Sequence, residues 1–195
     1  MRRKFPGERV YHVLRWLKAN KFSVPKATEQ LSEHLAWQAS ALPIEPASVG
    51  PMMDKNIMSR IGQAVDGSAV LLITARNFPP PSPESIALVT QTALFQVLAS
   101  LQALGGMGSP AAKLSVVYDR SGGVSTSQEL VGLPVCYGSF RSVSSDGTSF
   151  LQDYARPIVA LLEAHFPETL AKAFLYPVGG AFRLGWSVAK MIFDE

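Results

Sequence analysis

Three short apolar runs constrain this chain more than anything else in it: AVLLITA at 69–75, LSVVY at 114–118 and AFLY at 173–176. Each is too short for a stable helix and nearly free of polar alternation, the pattern of a strand buried on both faces of a sheet. Helical spacing fills the gaps between them. Ser82-Pro83 opens one helix, whose apolar residues, Leu88, Leu94, Phe95, Leu98 and Leu101 among them, persist until Gly105-Gly106 stops it. The stretch 150–165 sets Tyr154, Ile158, Leu161 and Leu162 on one side, with Pro157 as a kink or boundary. Strand, helix, strand, helix, strand predicts an α/β sheet with crossover helices.

Two shorter helices are predicted ahead of this body. Val10, Val13, Leu14 and Leu17 mark one face of a helix over about 8–20. Ser23 as N-cap and Pro25 in the first turn start a second, lined by Val24, Ala27, Leu31 and Leu35. Residues 1–41 thus form a small N-terminal helical lobe. The stretch 42–53, with Pro43, Pro46, Gly50 and Pro51, reads as a linker, and 54–195 is the main domain. Within it, 121–149 is Ser- and Gly-rich, with 131–137 partly ordered. Residues 182–193 are apolar nearly all round, which is odd for a surface helix.

Apolar residues make up 47% of the chain against 17% charged, where about a quarter charged is usual. A large core explains that, and so does a core hollowed for a ligand. The run 173–182 is too short for a membrane span and contains Pro177, Gly179 and Gly180. The lone Cys136 precludes an intrachain disulfide and fits a cytoplasmic protein, while basic residues interrupt the N-terminus where a signal peptide would be apolar. The net charge of +3 conceals an asymmetry, because residues 1–26 carry eight basic residues and only Glu8. Such an end suits a solvated helix face or an anionic membrane surface; no nucleic-acid motif accompanies it.

Near-motifs for enzymes fail on geometry. Residues 106–111 match G-x-G-x-x-A but follow a helix and precede a strand, the reverse of the dinucleotide-binding order. Cys136 and Arg141 are one residue too close for a phosphatase loop. His12, His34 and His165 are far apart in sequence and lack ligand-spaced neighbours, so no metal site is indicated. The prolines at 79–81 and 83 read equally as a polyproline segment or as a loop entering a helix. No enzyme and no cofactor are expected.

One stretch carries a resemblance. Val13-Leu14-Arg15-Trp16-Leu17-Lys18-Ala19-Asn20-Lys21-Phe22-Ser23-Val24 resembles the Arg/Lys-rich segment ending in Lys-Phe-Asp-Val of the CRAL-TRIO family, the secretory phosphatidylinositol-transfer and tocopherol-transfer class. Asp119 to Gly122 resembles that family's Asp-x-x-Gly, Phe166-Pro167-Glu168 its Tyr-Pro-Glu, and 171–194, closing in Phe193-Asp194, its strand, turn and gate helix.

The resemblance implies a mixed sheet flooring an apolar pocket, closed by a gate helix at 182–193 with Phe182, Trp186 and Phe193. Leu114, Val116 and Tyr118 are the implied pocket residues, and Lys21 and Glu168 the implied headgroup contacts. Function then follows as binding, and intermembrane transfer, of a phosphoinositide or another hydrophobic ligand by a cytoplasmic protein that visits membrane surfaces transiently. The alternative is a non-catalytic module of the same fold that recruits a trafficking or signalling protein. Departures are plain: Asn20 replaces a family arginine, Leu114 and Val116 replace hydroxyl residues of the phosphatidylcholine binders, and Pro177-Val178-Gly179 replaces Asn-Ala-Pro. Family members also continue past the gate with at least a strand and a helix, so the expectation is that the C-terminal part of the fold is missing.

Overall fold

The computed structural model describes residues 1, 3–119, 121 and 150–176. The elements are α1 (Val10–Ala19), α2 (Val24–Ala41), α3 (Pro46–Met53), β1 (Met58–Gln63), β2 (Ala69–Thr74), α4 (Pro83–Ala103), β3 (Leu114–Asp119), α5 (Phe150–His165) and β4 (Leu170–Tyr176). A single sheet runs β1-β2-β3-β4, with β1 antiparallel to β2 and the other pairs parallel. The expected gate at 182–193, with Phe182, Trp186 and Phe193, lies outside the described residues, as do Cys136 and the stretch 122–149.

The helices of the body begin and end where their capping chemistry places them. Ser82 and Ser85 form a reciprocal capping box at the start of α4, Ser85 N–H donating to Ser82 Oγ at 3.1 Å and Ser82 N–H to Ser85 Oγ at 2.8 Å. At its end Gly105 and Gly106 take φ of +92° and +73°, a region that favours glycine, and Gly106 N–H donates back to the Leu101 carbonyl at 2.8 Å. The prolines before α4 form its entry loop, tied down by the Tyr154 hydroxyl, which donates to the carbonyls of Pro79 and Pro80.

Two parallel crossovers step the same way across the sheet. The right hand usual for such crossovers puts α4 and α5 on one face, and they pack on one another. Ala69, Leu71 and Leu114 are buried there with Val89, Ala93, Leu94, Val97 and Leu101 of α4. Each large apolar side chain so buried stabilises the fold by about 1.5–3 kcal/mol. Helix α4 is long and apolar enough to cross a membrane by length and composition, the only such helix among the described residues. The 173–182 test missed it because Thr92, Ser100 and three glutamines interrupt its apolar runs. Here Thr92 and Ser100 are fully buried, so α4 serves as the core helix of the sheet.

Three readings of the sequence need correction. The supposed linker contains α3, which starts at Pro46 as first helical residue and buries Val49 and Met52. Strand β1 was not anticipated. Its sequence MSRIGQ holds two apolar residues, and a bulge between Arg60 and Gly62 breaks its alternation. In α1, the buried face is His12, Val13, Arg15 and Trp16, whereas Val10 is exposed and Leu14 half-buried. The helix is rotated from the apolar stripe because two polar residues, His12 and Arg15, find partners inside. With Ala27 and Leu31 of α2, Val13 and Trp16 form a separate small core for the hairpin.

Candidate functional site

Strand alternation assigns every side chain of the sheet to one of two faces. Leu114, Val116 and Tyr118 pair with Ala69, Leu71 and Ile73 and lie on the helix-covered face, where Leu114 is core. The expected pocket residues therefore point toward α4 and α5. The opposite face is arranged in rows. Leu72, Val117 and Phe174 form an apolar row across three strands. Beside it on one end stand Val70, Ser115 and Lys172, and on the other Thr74, Asp119 and Tyr176. Phe174 is 52% and Tyr176 65% exposed, unusual for aromatic residues in a strand.

Polar groups close both ends of this face. Lys172 Nζ lies 2.8 Å from Asp66 Oδ2. Asp66 Oδ1 also accepts from Ser68 N–H and Oγ, and Ser68 Oγ meets Ser115 Oγ at 2.7 Å. The hydrogen bond from Lys172, followed by those from Ser68, holds the Asp66 carboxyl well below the usual carboxylate range. At the carboxyl ends of the strands, Asp119 accepts from Ser121 N–H at 2.8 Å. Hydrogen bonds from Ser121, with a smaller contribution from the Arg76 cation, lower its carboxyl as well. An apolar row with ionised groups at either end suits an amphiphile with a hydrocarbon body.

The two residues expected to hold a headgroup are not joined by any hydrogen bond or ion pair. Lys21 is exposed at the turn between α1 and α2. Glu168 sits in the turn before β4 with φ +58°, and its carbonyl accepts from Arg15 Nη1 and Lys113 Nζ, both at 2.5 Å. Burial lowers the Lys113 ammonium and, to second order, so does the nearby Arg15 cation, while the Glu168 charge opposes both effects. The cations brought to Glu168 are thus Arg15 and Lys113. Neither stood out in the sequence, although an arginine between Leu14 and Trp16 in a packed helix is a signal of a buried partner.

Arg15 does more than meet Glu168. It is buried and donates to four carbonyls, those of Met107, Ser109, Ala112 and Glu168, with lengths from 2.5 to 3.2 Å. Through them α1 is fastened to the loop after α4 and to the turn before β4. Close by, His12, His34 and His165, far apart in sequence, converge. His34 lies 5.5 Å from His12 and 5.6 Å from His165 between ring centroids, and Trp37 stacks on His165 at 3.8 Å. They are packing residues of the junction, and no metal-holding group of His, Cys, Asp or Glu occurs among the described residues. A cavity of about 380 Å³ runs beside them, between Glu8, Arg9, His12, His34, Trp37 and the 105–108 loop.

No family model matches the sequence, and neither does any curated protein. Among solved structures the chain is similar to the crystal structure of Sfh5, with TM-score 0.59 and 16% identity over 94% of this chain. The match spans 59% of the Sfh5 chain. This likeness shows a shared mixed α/β fold.

Proposed function

We propose that this CRAL-TRIO-like chain binds a lipid or other small hydrophobic ligand on the sheet face away from α4 and α5. The apolar row of half-buried Leu72 and Val117 and exposed Phe174, beside exposed Tyr176, carries this reading. The likeness to Sfh5 is one of fold and accords with the architecture this reading assumes. In this proposal residues 182–193 form the gate, with Phe182, Trp186 and Phe193 lying over the ligand. Glu168 accepts headgroup hydroxyls, and Lys21 meets phosphate as a point charge. No bond is made or broken; the protein works in the cytoplasm, takes a ligand from a membrane surface and releases it at another.

Burying a methylene is worth about 0.8 kcal/mol, so hydrocarbon length dominates affinity and the polar ends select identity. The test is extraction of the chain purified from a eukaryotic host, followed by mass spectrometry of what it carries. One lipid class near one per chain, lost in Phe174→Asp and in the double variant Phe182→Asp with Trp186→Asp, is expected. A folded chain that carries no lipid and takes none from vesicles overturns the reading, and binding to a trafficking or signalling protein then becomes the better account.

A further inference from the structure

The turn between α1 and α2 presents a surface of which the ligand reading uses only Lys21. Four backbone bonds hold it: Lys21 N–H to Lys18 O at 3.0 Å, Phe22 N–H to Leu17 O at 2.7 Å, Ser23 N–H to Asn20 O at 2.9 Å and Ala27 N–H to Ser23 O at 3.0 Å. Asn20 adds a side-chain bridge, its Nδ2 donating to the Trp16 carbonyl and to Gln30 Oε1 at 2.7 Å. Two consecutive non-glycine residues, Lys21 and Phe22, take left-handed φ of +50° and +63°. Such conformations are costly for side-chain-bearing residues and persist only where the surroundings impose them. What this fixed turn displays is Phe22, 63% exposed, with Val24 exposed beside it.

Along the chain on either side of these two apolar side chains the charge has one sign. Lys18, Lys21 and Lys26 are exposed, and no acidic residue lies between 9 and 28. Lys113 is close enough to Lys18 for its ammonium to feel that charge. The first carboxylate along α2 is Glu29, one turn beyond Lys26. An aromatic residue at the apex of a rigid turn, ringed by lysines, matches an anionic bilayer. The lysines meet headgroups at about 1 kcal/mol each, and the ring enters the acyl boundary. A protein partner of the same charge would need acidic groups around an apolar socket, whereas a bilayer supplies both everywhere on its surface.

We infer that the α1–α2 turn is a membrane-docking tip, in which Phe22 and Val24 insert into an anionic lipid surface while Lys18, Lys21 and Lys26 contact its headgroups. The inference goes beyond ligand binding and shares only Lys21 with it, and its test rests on Phe22, Lys18 and Lys26.

Vesicle flotation tests it with phosphatidylcholine vesicles and with phosphatidylcholine–phosphatidylserine vesicles. The chain floats with the second and not the first, and less so as salt is raised. Phe22→Ser lowers the partition about tenfold, and Lys18→Gln or Lys26→Gln about fivefold each. All three are surface changes, so far-ultraviolet circular dichroism and the urea midpoint stay as in the parent. Val65→Ser, at a fully exposed apolar site in the β1–β2 turn, leaves flotation unchanged. Equal flotation of the parent and Phe22→Ser, an equal fall with Val65→Ser, or retention by an anionic polymer such as RNA without any vesicle binding overturns it. A chain that floats yet carries no extractable lipid supports the docking tip and counts against the ligand reading alone.

Discussion

The junction between the hairpin and the body and the outer face of the sheet treat polarity in opposite ways. At the junction polar side chains are inside: Arg15 is buried on four carbonyls, and His34, 4% exposed, lies among His12, Trp16, Trp37, His165 and Phe166. On the outer face apolar side chains are outside, Phe174 and Tyr176 above all. A buried cation is tolerated when most of its protons find carbonyls, as four of the five do in Arg15, and it then fixes geometry more tightly than an apolar contact does. Exposed aromatic side chains such as Phe174 and Tyr176 contribute little to stability, which is what the proposed ligand surface requires. One region is built for attachment and the other for cover, so the same kind of substitution has opposite consequences in each.

Breaking the junction at Arg15 is the largest expected effect. Arg15→Met takes a donor from four carbonyls and leaves those of Met107, Ser109 and Ala112 without their arginine partner, a loss of about 3 kcal/mol, read from the urea midpoint at neutral pH. A midpoint unmoved by that change would mean that the hairpin stands on its own small core. Acid is the next lever. Burial, then the charges of His12 and His165, lower the His34 imidazole from 6.5 to about 4. Its folded-state value lies below its unfolded one, so the unfolded chain takes up the proton first. The stability tied to neutral His34 is complete above pH 6.5 and falls away as pH drops toward about 4. The loss is on the order of 2 kcal/mol. Glu8 is the facing carboxylate, and it is engaged with His12 Nδ1 at 2.6 Å, leaving His34 without a counter-charge. His34→Phe should flatten this limb of the stability profile, and an equally steep limb in that variant would place the sensitivity elsewhere.

Smaller effects sharpen the contrast. A methyl group at Gly108 would strike Arg9, with Cβ at 2.7 Å and Cδ nearer still, so Gly108→Ala should cost about 1 kcal/mol as the start of α1 is pushed off the loop. Phe174→Ser on the open face should shift stability by no more than about 0.5 kcal/mol while emptying the ligand site. If it instead destabilises the sheet as much as Gly108→Ala does the junction, Phe174 is a packing residue and the open row is not a binding surface.

Much of the fold was legible because it depends on neighbours in sequence. The bounds of α5 and the capping of α4 at Ser82 and Gly105-Gly106 follow from local chemistry, as do the β2 and β3 segments. β4 begins three residues earlier than its apolar run, at Leu170, because pairing with Leu114 extends it through polar Lys172. Strand β1 was invisible for the same reason: its MSRIGQ becomes a strand through its pairing with β2 across the Asp66-Gly67 turn. The candidate site was less legible than the fold. Leu114, Val116 and Tyr118 lie in an apolar strand, but which side of it faces the helices depends on where both crossovers lie. Lys21 and Glu168 were named from a linear motif, which gives no sign that the backbone carbonyl of Glu168 accepts from Arg15 and Lys113.

The sequence by itself determined the order and type of most elements, the basic charge of the first 26 residues and the turn that displays Phe22, because these are set within a few residues of the chain. Tertiary structure alone decided which sheet face carries Leu72, Val117 and Phe174 in a row, that three distant histidines meet, and that Arg15 turns inward. Those outcomes rest on pairing register, crossover hand and the need of every buried donor for an acceptor, none of which is a property of a local stretch of sequence.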